Sequence, residues 1–534
     1  MGCREKRKFR VTFAAECDIM GSGMECGFQT AFSRRNLQKG KLYGTWRGLS
    51  PKIQERGMNG MITDRRCFML NVLTAGFVLA GCLSTRESGG VIRPQRGDGQ
   101  VTAVVQQAID ECFLSGGGTV RLSKGDWHIG GIRIRSNVTL YLESGCRLVG
   151  SRNIADYYIL EKDTVEPVDP KLISHDVWLQ SDSITKDTIW RFPGNRWNNA
   201  LIRFYKAKNA ALVGEPGSVI FGNNPYDPGG SEDYRGPLGI NAIDSENLTF
   251  RGYTISDTGN WAHRLVDVKG FRFDGVTCLG GHDAIHFNGC DGVLIENCTF
   301  KTGDDCIAGF DNWDVTVRNC YINSSCSAFR FAGTGVLVEK CRIVGPGEWG
   351  FRGVLTKEQK AAGAPTPPGS SLGRNNMLSF FTYYADGTHP IRDYARNIVI
   401  RDCTVENADR FLHYNYNNEQ WQRGVPMTDI TFERVRATGI IYPLSAYGMH
   451  GHDVKLALTM RDCSIAFGKP VQEFIRGAFV GEIDLAGVRV EGASSEAPLF
   501  RVWEDEMPRI RTSGLVGIRD EVVKGTGPYA VQGI

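Results

Sequence analysis

The sequence carries very little net charge, although charged residues are common in it. Its 62 lysines and arginines are almost balanced by 59 aspartates and glutamates, which leaves a formal charge of +3 over 534 residues. Proteins that bind polyanions such as nucleic acids usually have a marked basic excess. The composition therefore gives no support to a nucleic-acid partner.

The 16 cysteines lack the spacing of a metal site. No CxxC pair occurs, and zinc and iron–sulfur sites usually place their ligands in such pairs. We therefore expect neither a bound metal nor a cofactor.

The apolar run CFMLNVLTAGFVLAGC (67–82) is too short to cross a bilayer comfortably. It follows Arg65-Arg66 and ends in small residues, which is the pattern of a signal peptide. Residues 79–82, LAGC, resemble the lipobox of bacterial lipoproteins, in which the cysteine becomes the acylated N-terminus. We expect 58–82 to be a signal peptide, Cys82 to be the lipidation site, and the product to be a periplasmic or cell-surface lipoprotein. A buried apolar helix is the alternative.

A signal peptide belongs at the start of a chain, yet about sixty residues precede this one. We expect translation to start at Met58 or Met61, and residues 1–57 to be a misassigned or disordered extension. N-terminal sequencing of the precursor tests this. The remaining chain is expected to comprise a linker at 83–96 and a single catalytic domain at 97–534, most simply as a monomer.

A pattern of about 22 residues recurs from residue 248 onward. Each copy has a short apolar/polar alternation, a polar pair and a second short alternation, as in VLIENCTF (293–300) and VTVRNCYI (315–322). Alternation over so few residues indicates strands. A fixed period with two or three strands per copy is typical of a solenoid, in which stacked copies bury a common core. The copies begin at residues 248, 271, 293, 315, 336, 398, 430, 458 and 483.

The fold class expected from this repeat is all-β, a right-handed parallel β-helix. The longer spacings late in the chain predict loops inserted between coils at 344–397 and 406–429. The amphipathic segment VTAVVQQAIDECFLSGGG (101–118) predicts a helix that is stopped by its final glycines and that caps the open N-terminal end.

Five cysteines occupy one position of the repeat, which predicts an inward-facing column of small side chains. Free cysteine is a common core residue, so packing is favoured over disulfide bonding. The five are Cys298, Cys320, Cys341, Cys403 and Cys463.

Three aspartates are expected to meet on neighbouring coils. Asp304 and Asp305 lie 21 and 22 residues after Asp283, which is one repeat period. Like charges raise one another's pKa, so stability gives no reason for such a cluster. Glycoside hydrolysis does, because one carboxylic acid must donate a proton while another carboxylate activates water. A turn in which the aspartates cap backbone N–H groups or hold calcium is the alternative.

The stretch TGDDCIA (302–308) resembles the "GDDC-I" motif of glycoside hydrolase family 28, the polygalacturonases and related pectin hydrolases. HD (282–283) stands where that family has "NTD", one coil earlier. The resemblance runs from about Gly97 to about Ile343. It implies that Asp304 is the general acid, that Asp283 and Asp305 hold and deprotonate the attacking water, and that the displacement is single, inverting and metal-free.

The chain also departs from this family at its substrate-binding positions. The "GHG" motif should fall on the coil after the aspartates, but NSSCSAFRF (323–331) has no histidine. The family's "R-I-K", which grips the uronate carboxylate, matches only at Arg352, because Val354 stands where the lysine would be. Homogalacturonan is therefore a doubtful substrate, and another pectic linkage or a neutral or modified sugar is favoured.

Three further residues are candidates to replace the missing groups. Arg330 could supply a cation, and His282 or His286 could stand in for the histidine. Each is also a residue type that often has a purely structural role.

Aromatic and amide residues within the inserts suit a saccharide cleft. The alternative is that these rings pin long loops to the solenoid. The segments are 347–351, 377–389 and 413–422.

The function expected from these features is a glycosidase acting on a pectin-like polysaccharide or its oligosaccharides. Two other functions stay open. A polysaccharide lyase would use a lysine or arginine base, usually with calcium, and a non-catalytic solenoid would only bind glycan.

Overall fold

The computed structural model describes most of the chain from residue 84 onward. The described ranges are 84–87, 89–157, 199–367, 375–385, 391–416, 422, 426–504 and 506–526. The extension predicted at 1–57 and the signal peptide predicted at 58–82, including Cys82, lie outside these residues.

The described chain winds into a parallel β-helix, as predicted. Consecutive coils stack in register, and each coil contributes strands to three parallel faces, here called sheets 1, 2 and 3. Sheets 2 and 3 are joined, because two long strands bend from one face into the other.

Sheet 1 has twelve strands among the described residues. They are β4 (Gly125–Ile129), β7 (Cys146–Gly150), β10 (Val219–Phe221), β13 (Thr254–Ser256), β16 (Thr277–Gly280), β19 (Thr299–Thr302), β21 (Tyr321–Ser324), β23 (Arg342–Val344), β26 (Thr404–Glu406), β29 (Arg436–Ile440), β32 (Ser464–Val471) and β35 (Arg489–Ala493).

Sheet 2 follows sheet 1 in each coil. Its strands are β5 (Ile132–Ile134), β8 (Ala200–Tyr205), β11 (Leu238–Ile243), β14 (His263–Val266), β17 (Ile285–Asn288), β20 (Ile307–Arg318), β22 (Ser327–Glu339), β24 (Met377–Tyr383), β27 (Ala408–Asn415), β30 (Leu444–Tyr447), β33 (Ile475–Ala478), β36 (Pro498–Val502) and β38 (Arg519–Lys524).

Sheet 3 completes each coil, and it includes the C-terminal halves of β20 and β22. Its other strands are β1 (Ser84–Glu87), β2 (Val91–Pro94), β3 (Gly118–Leu122), β6 (Val138–Leu142), β9 (Lys208–Gly214), β12 (Glu246–Arg251), β15 (Lys269–Asp274), β18 (Asp291–Glu296), β25 (Arg396–Arg401), β28 (Asp429–Glu433), β31 (Leu456–Arg461), β34 (Val480–Ala486) and β37 (Arg509–Ser513).

The register of sheet 3 confirms the 22-residue repeat. The first residues of all nine predicted copies pair in one continuous ladder from Leu248 to Ile483. The ladder continues to Ala210 on one side and Ile510 on the other. These two flanking coils escaped the sequence pattern.

The cysteine column is also as predicted. All five repeat cysteines are free and buried, each immediately after a turn residue with positive φ. In other coils the same position holds Tyr253, Val276, Val435 and Val488, which are buried too. The position therefore selects for burial rather than for thiol chemistry.

The predicted cap is α1 (Thr102–Leu114), which packs against β2, β3, β5 and β6. It ends before Gly116–Gly118, three glycines with positive φ, which are the residues that the sequence predicted would stop it. Its buried face consists of Val105, Ala108, Ile109 and Cys112.

Residues 83–96 do not form the predicted linker. β2 pairs with β3 in parallel, and Ile92 is buried in the core, so the solenoid begins before α1. β1 pairs with β2 in antiparallel fashion. One continuous apolar core then extends from Ile92 to Val502.

The inserts are shorter than predicted, because each predicted range also contains the sheet 2 strand of its own coil. β24 lies within 344–397, and β27 lies within 406–429. The true insert between β23 and β24 is described at 345–367, and we refer to this stretch as the long insert. It contains α2 (Lys357–Ala362), whose N-terminus is closed by reciprocal hydrogen bonds between Thr356 and Gln359.

In the described part of the chain, no helix combines the length and apolar character that crossing a membrane requires.

Candidate active site

The three aspartates lie where sheet 1 turns into sheet 2 on two adjacent coils. Asp283 lies between β16 and β17, and Asp304 and Asp305 lie between β19 and β20. The Ala284 N–H donates to the Asp305 carbonyl at 3.1 Å, and Gly280 pairs with Thr302. The one-coil adjacency predicted from the repeat is therefore observed.

The Asp304–Asp305 pair lies in a turn, so the alternation of a strand does not separate the two side chains. Hydroxyl groups of Thr302 and Ser324 donate to the Asp304 carbonyl at 2.7 Å each. The Asp305 N–H donates to Asp304 Oδ1 at 3.1 Å. Carboxylate oxygens of both residues and Cys326 Sγ lie within 4.8 Å of one another.

This cluster could ligate a cation, but arginines already balance its charge. Asp304 Oδ2 lies 3.5 Å from Arg235 Nη2, and Asp305 Oδ2 lies 3.4 Å from Arg330 Nη1. A cation placed between the two carboxylates would face repulsion from both guanidinium groups. The residues present therefore fit acid/base chemistry better than metal binding.

The three carboxyl groups differ in their access to solvent. The Asp304 side chain is 17% exposed, whereas Asp283 and Asp305 are 2% and 1% exposed. Burial raises the pKa of Asp304 to about 6, and the charge of Asp305 adds to this shift. Burial also raises the pKa of Asp283 well above its usual range, with further contributions from Asp304 and Asp305. Asp304 is therefore a carboxylic acid that can hold a proton in mildly acidic solution and meet an incoming group.

Arg235 is a site residue that no sequence pattern predicted. Its buried guanidinium contacts Glu232 at 3.0 Å, Asn260 Oδ1 at 3.2 Å and His282 Nδ1 at 3.0 Å, in addition to Asp304. It comes from the segment between β10 and β11, which has no counterpart in the repeat. No periodic signal could have placed it beside an acid that lies 69 positions later in the sequence.

Arg330 reaches the cluster from the coil after the aspartates, as the sequence suggested. It lies on β22 in register with Ala308, and its guanidinium stacks over the Tyr384 ring at 4.0 Å. Tyr384 follows β24, and no sequence pattern gave this residue an individual role. The Asp305 carboxylate also accepts from the Ser327 N–H at 3.1 Å.

Both candidate histidines are buried beside the acids. His282 Nδ1 accepts from Arg235, and its ring stacks on Tyr234. His286 Nδ1 lies 2.9 Å from Asp283 Oδ2, and its ring stacks on Trp261. Burial and nearby arginines lower the pKa of both imidazoles well below the usual range, so both are neutral.

The contacts of Arg352 do not fit the predicted grip on a substrate carboxylate. The residue is 1% exposed, and its guanidinium donates to four backbone carbonyls within 3.3 Å. Desolvation by burial lowers its pKa to about 10. Its place in the structure is that of a clamp, which fastens the long insert to two earlier coils. The four acceptors are Asn224, Pro225, Thr258 and Gly259.

The long insert rests directly on the turns that carry the aspartates. A Cβ atom at Gly303 would lie 1.9 Å from the Gly350 carbonyl oxygen, and one at Gly281 would lie 2.9 Å from Arg352 Cβ. The Arg352 N–H also donates to the Gly281 carbonyl at 3.1 Å. Glycine before each acidic turn thus allows the insert to form a wall of the site.

Most aromatic side chains predicted to line a saccharide cleft belong to the core instead. Those in β24 and β27, and Tyr416 just after β27, are buried in the solenoid. Tyr384 is buried as well, although it also packs against Arg330. Among the described residues of these segments, Trp349 and Phe351 are half-buried, and Phe351 packs against Arg235. The buried rings are Phe380, Phe381, Tyr383, Tyr384, Tyr414 and Tyr416; residues 386–389 and 417–421 lie outside the described part.

A family model for the right-handed β-helix region matches residues 204–360. A probable polygalacturonase of Vitis vinifera is 23% identical over 231 residues, which are 41% of this chain and 43% of the relative. A polygalacturonase of Brassica napus is 24% identical over 217 residues, which are 38% of this chain and 49% of the relative. The matched region thus spans less than half the length of either relative.

Solved structures extend the likeness over more of the chain. The hyperthermoactive exopolygalacturonase of Thermotoga maritima covers 76% of this chain and 94% of its own, at 16% identity and a TM-score of 0.51. The polygalacturonase of Erwinia carotovora covers 80% and 97%, at 13% identity and a TM-score of 0.52. At such identities the structures establish the fold alone. The chain thus has the right-handed parallel β-helix fold and is a divergent, polygalacturonase-like sequence.

Proposed function

We propose that this protein is a glycoside hydrolase that cleaves a pectin-type polysaccharide or its oligosaccharides by a single, inverting displacement. One observation carries the proposal. A partly exposed carboxyl group, Asp304, has a pKa raised to about 6 and lies beside two more carboxyl groups on the same and the adjacent coil. The similarity of the chain to polygalacturonases supports a pectin-type substrate.

Asp304 is proposed as the general acid. It is the most accessible of the three, and its raised pKa lets it carry a proton at mildly acidic pH. In the reaction this proton passes to the glycosidic oxygen as the bond to the anomeric carbon breaks. The leaving sugar thus departs as a neutral alcohol.

Asp283 and Asp305 are proposed to hold and deprotonate the attacking water. Asp305 is held by Arg330 and by the Ser327 N–H, which are donors that suit an ionised carboxylate. As the water oxygen bonds to the anomeric carbon, its proton passes to this carboxylate pair. Attack on the face opposite the leaving group inverts the anomeric configuration.

The proposed substrate is not plain homogalacturonan. The Arg352 guanidinium is occupied by backbone carbonyls, and Val354 provides no charge. The cations beside the acids are Arg235 and Arg330, and each is already paired with a carboxylate. We therefore expect a preference for another pectic linkage or for a neutral or modified sugar.

The decisive experiment combines a substrate panel with a matched pair of variants. Pectic, rhamnogalacturonan and neutral oligosaccharides are incubated with the wild type, Asp304→Asn and Asp314→Asn, and reducing ends are measured. Loss of a general acid lowers kcat by about 10²–10⁴-fold, so we expect such a loss for Asp304→Asn alone. Asp314 is an exposed control with positive φ, a conformation that asparagine tolerates.

The stereochemistry provides an independent check. Proton NMR of the first product should show the inverted anomer, and retention would contradict the assigned roles. A product that absorbs in the ultraviolet, and whose formation a chelator abolishes, would indicate a lyase. If the wild type releases nothing while Asp304→Asn still binds glycan, the protein is a binding module.

We also propose that the protein is exported and anchored through Cys82. The support is the sequence at 65–82, which combines a basic pair, a short apolar run and a lipobox-like end. Mass spectrometry of the natural N-terminal peptide tests this. A mature protein without an acylated Cys82 would overturn it.

A further inference from the structure

His286 makes one polar side-chain contact that the proposed chemistry has not yet used. It lies on β17, three residues after Asp283, and its Nδ1 is 2.9 Å from Asp283 Oδ2. The side chain is 2% exposed. It is therefore poorly placed to contact a substrate, although it touches a carboxyl group that we assign to the reaction.

The imidazole is held in one orientation by two aromatic rings. The Trp261 ring stacks on it with a centroid distance of 3.8 Å and an interplanar angle of 4°. The Tyr384 ring meets it edge-on, with a centroid distance of 5.8 Å and an interplanar angle of 82°. These rings come from the coil before β17 and from the end of β24, so three coils fix the direction of Nδ1.

Three arginines lie near the pair formed by His286 and Asp283. Arg264 lies beside His286 on the preceding coil, Arg330 lies two coils further on, and Arg235 approaches from the segment before β11. Burial and these three charges keep the pKa of His286 well below its usual value. A neutral imidazole has one N–H donor, and the neighbour of each nitrogen decides which one carries it.

We propose that His286 is a positioning residue for Asp283. Its Nδ1–H donates to the Asp283 carboxylate. This hydrogen bond stabilises the ionised form, which burial and the neighbouring acids disfavour, and it fixes the direction of the group in a cluster of three acids. The inference rests on the proposed hydrolase function and deepens it. Asp283 then accepts the proton of the attacking water while Asp304 protonates the leaving oxygen, and solvent later restores both groups.

This histidine lies on a different coil from the one on which the family motif would place a histidine. The family's histidine was expected within 323–331, one coil after Asp304, where this chain has none. His286 instead lies on the coil of Asp283. The resemblance alone therefore gives it no role.

Three variants separate positioning from other roles. His286→Asn keeps an N–H donor near the position of Nδ1, His286→Gln moves that donor towards the position of Nε2, and His286→Ala removes it. We expect kcat to fall about 10–100-fold for the alanine and glutamine variants, with KM changed less than about threefold. The asparagine variant should recover most of kcat.

The pH profile distinguishes this role from simple packing. A hydrogen bond to the ionised form lowers a carboxyl pKa, so its loss raises the pKa of Asp283. The acidic limb of kcat/KM should therefore move to higher pH by about one to two units in His286→Ala and His286→Gln. His286→Asn should keep the wild-type limb. If the acidic limb of kcat/KM had the same position in all variants, or if only KM rose, the proposal would be overturned.

Imidazole NMR tests the contact without relying on turnover. In protein labelled with ¹⁵N-histidine, the resonance lost in His286→Asn identifies His286, which should show the neutral Nδ1–H tautomer. Asp283→Leu should remove that tautomer preference. If the wild type hydrolyses nothing but the Nδ1–H tautomer is present, the proposed function fails and the contact between His286 and Asp283 stands. An Nε2–H tautomer overturns the inference whether or not the protein is active.

Discussion

At the residue scale, two carboxyl groups of the site, those of Asp283 and Asp304, lie where ionisation is unfavourable. Burial and mutual repulsion raise the pKa of Asp283 and Asp304. A carboxyl group with a raised pKa binds its proton more tightly in the folded state than in the unfolded state. Folding therefore becomes less favourable as the pH rises from the unfolded pKa through the folded one. Such groups are common at functional sites.

Asp304→Asn should therefore stabilise the protein at neutral pH while removing activity. The pKa rises from 3.8 to about 6 on folding, so the charged form costs the folded state about 1–3 kcal/mol above pH 6. Near pH 3 the carboxyl group is largely protonated in both states, and the variant should match the wild type. Urea unfolding at pH 3 and pH 7.5, with Asp314→Asn as the control, measures the difference. An equal gain at both pH values would show that ionisation is not the cause.

At the element scale, the Arg352 side chain fastens the long insert to two earlier coils. Arg352 donates to carbonyls that lie 93 to 128 positions earlier in the sequence. The insert also contacts the turn before each acid through Gly281 and Gly303. The same arginine that the sequence assigned to a substrate is thus used to build a wall of the site.

Arg352→Met should destabilise the protein by about 2–4 kcal/mol, because it leaves buried carbonyls without donors. Arg342→Met is the matched control, since Arg342 is an exposed arginine on β23 just before the insert. Urea unfolding and limited proteolysis of 345–367 measure the effect. If the two variants were equally stable and only Arg352→Met raised KM, the result would support the prediction that Arg352 binds a substrate carboxylate.

The same scale shows where sequence patterns stop being informative. The alternation that begins at Leu248 predicted the sheet 3 ladder, because each strand exposes one face and buries the other in every coil. β24 and β27 were assigned to inserts, since both faces of these strands are largely buried and their sequences show no alternation. Their aromatic side chains therefore suggested a cleft, although they are core.

At the scale of the whole molecule, one continuous apolar core runs through the described solenoid from Ile92 to Val502, and α1 closes it at one end. Each coil is stabilised mainly by its neighbours, so an uncovered end would expose both apolar surface and unpaired strand edges. The cap thus protects the first coils and the stack that depends on them.

Ile109→Asp should destabilise the protein by about 3–5 kcal/mol, because it places an unpaired charge in the core beneath the cap. Gln107→Asp introduces the same charge on the exposed face of the same helix and should stay within about 0.5 kcal/mol of the wild type. Urea midpoints measure stability, and size-exclusion chromatography reports association through the uncovered end. Matching midpoints for the two variants would mean that α1 is not a cap.

The sequence by itself determined the coil, its 22-residue period, the buried cysteine column and the adjacency of Asp283 with Asp304 and Asp305. These features are periodic, and a stacked ladder converts sequence spacing directly into spatial proximity. Only the tertiary structure decided what surrounds the acids: Arg235 beside Asp304, His286 against Asp283, and Arg352 turned into the backbone. Those contacts either join segments outside the repeat or depend on the direction of a side chain. The 22-residue period carries no information about either feature.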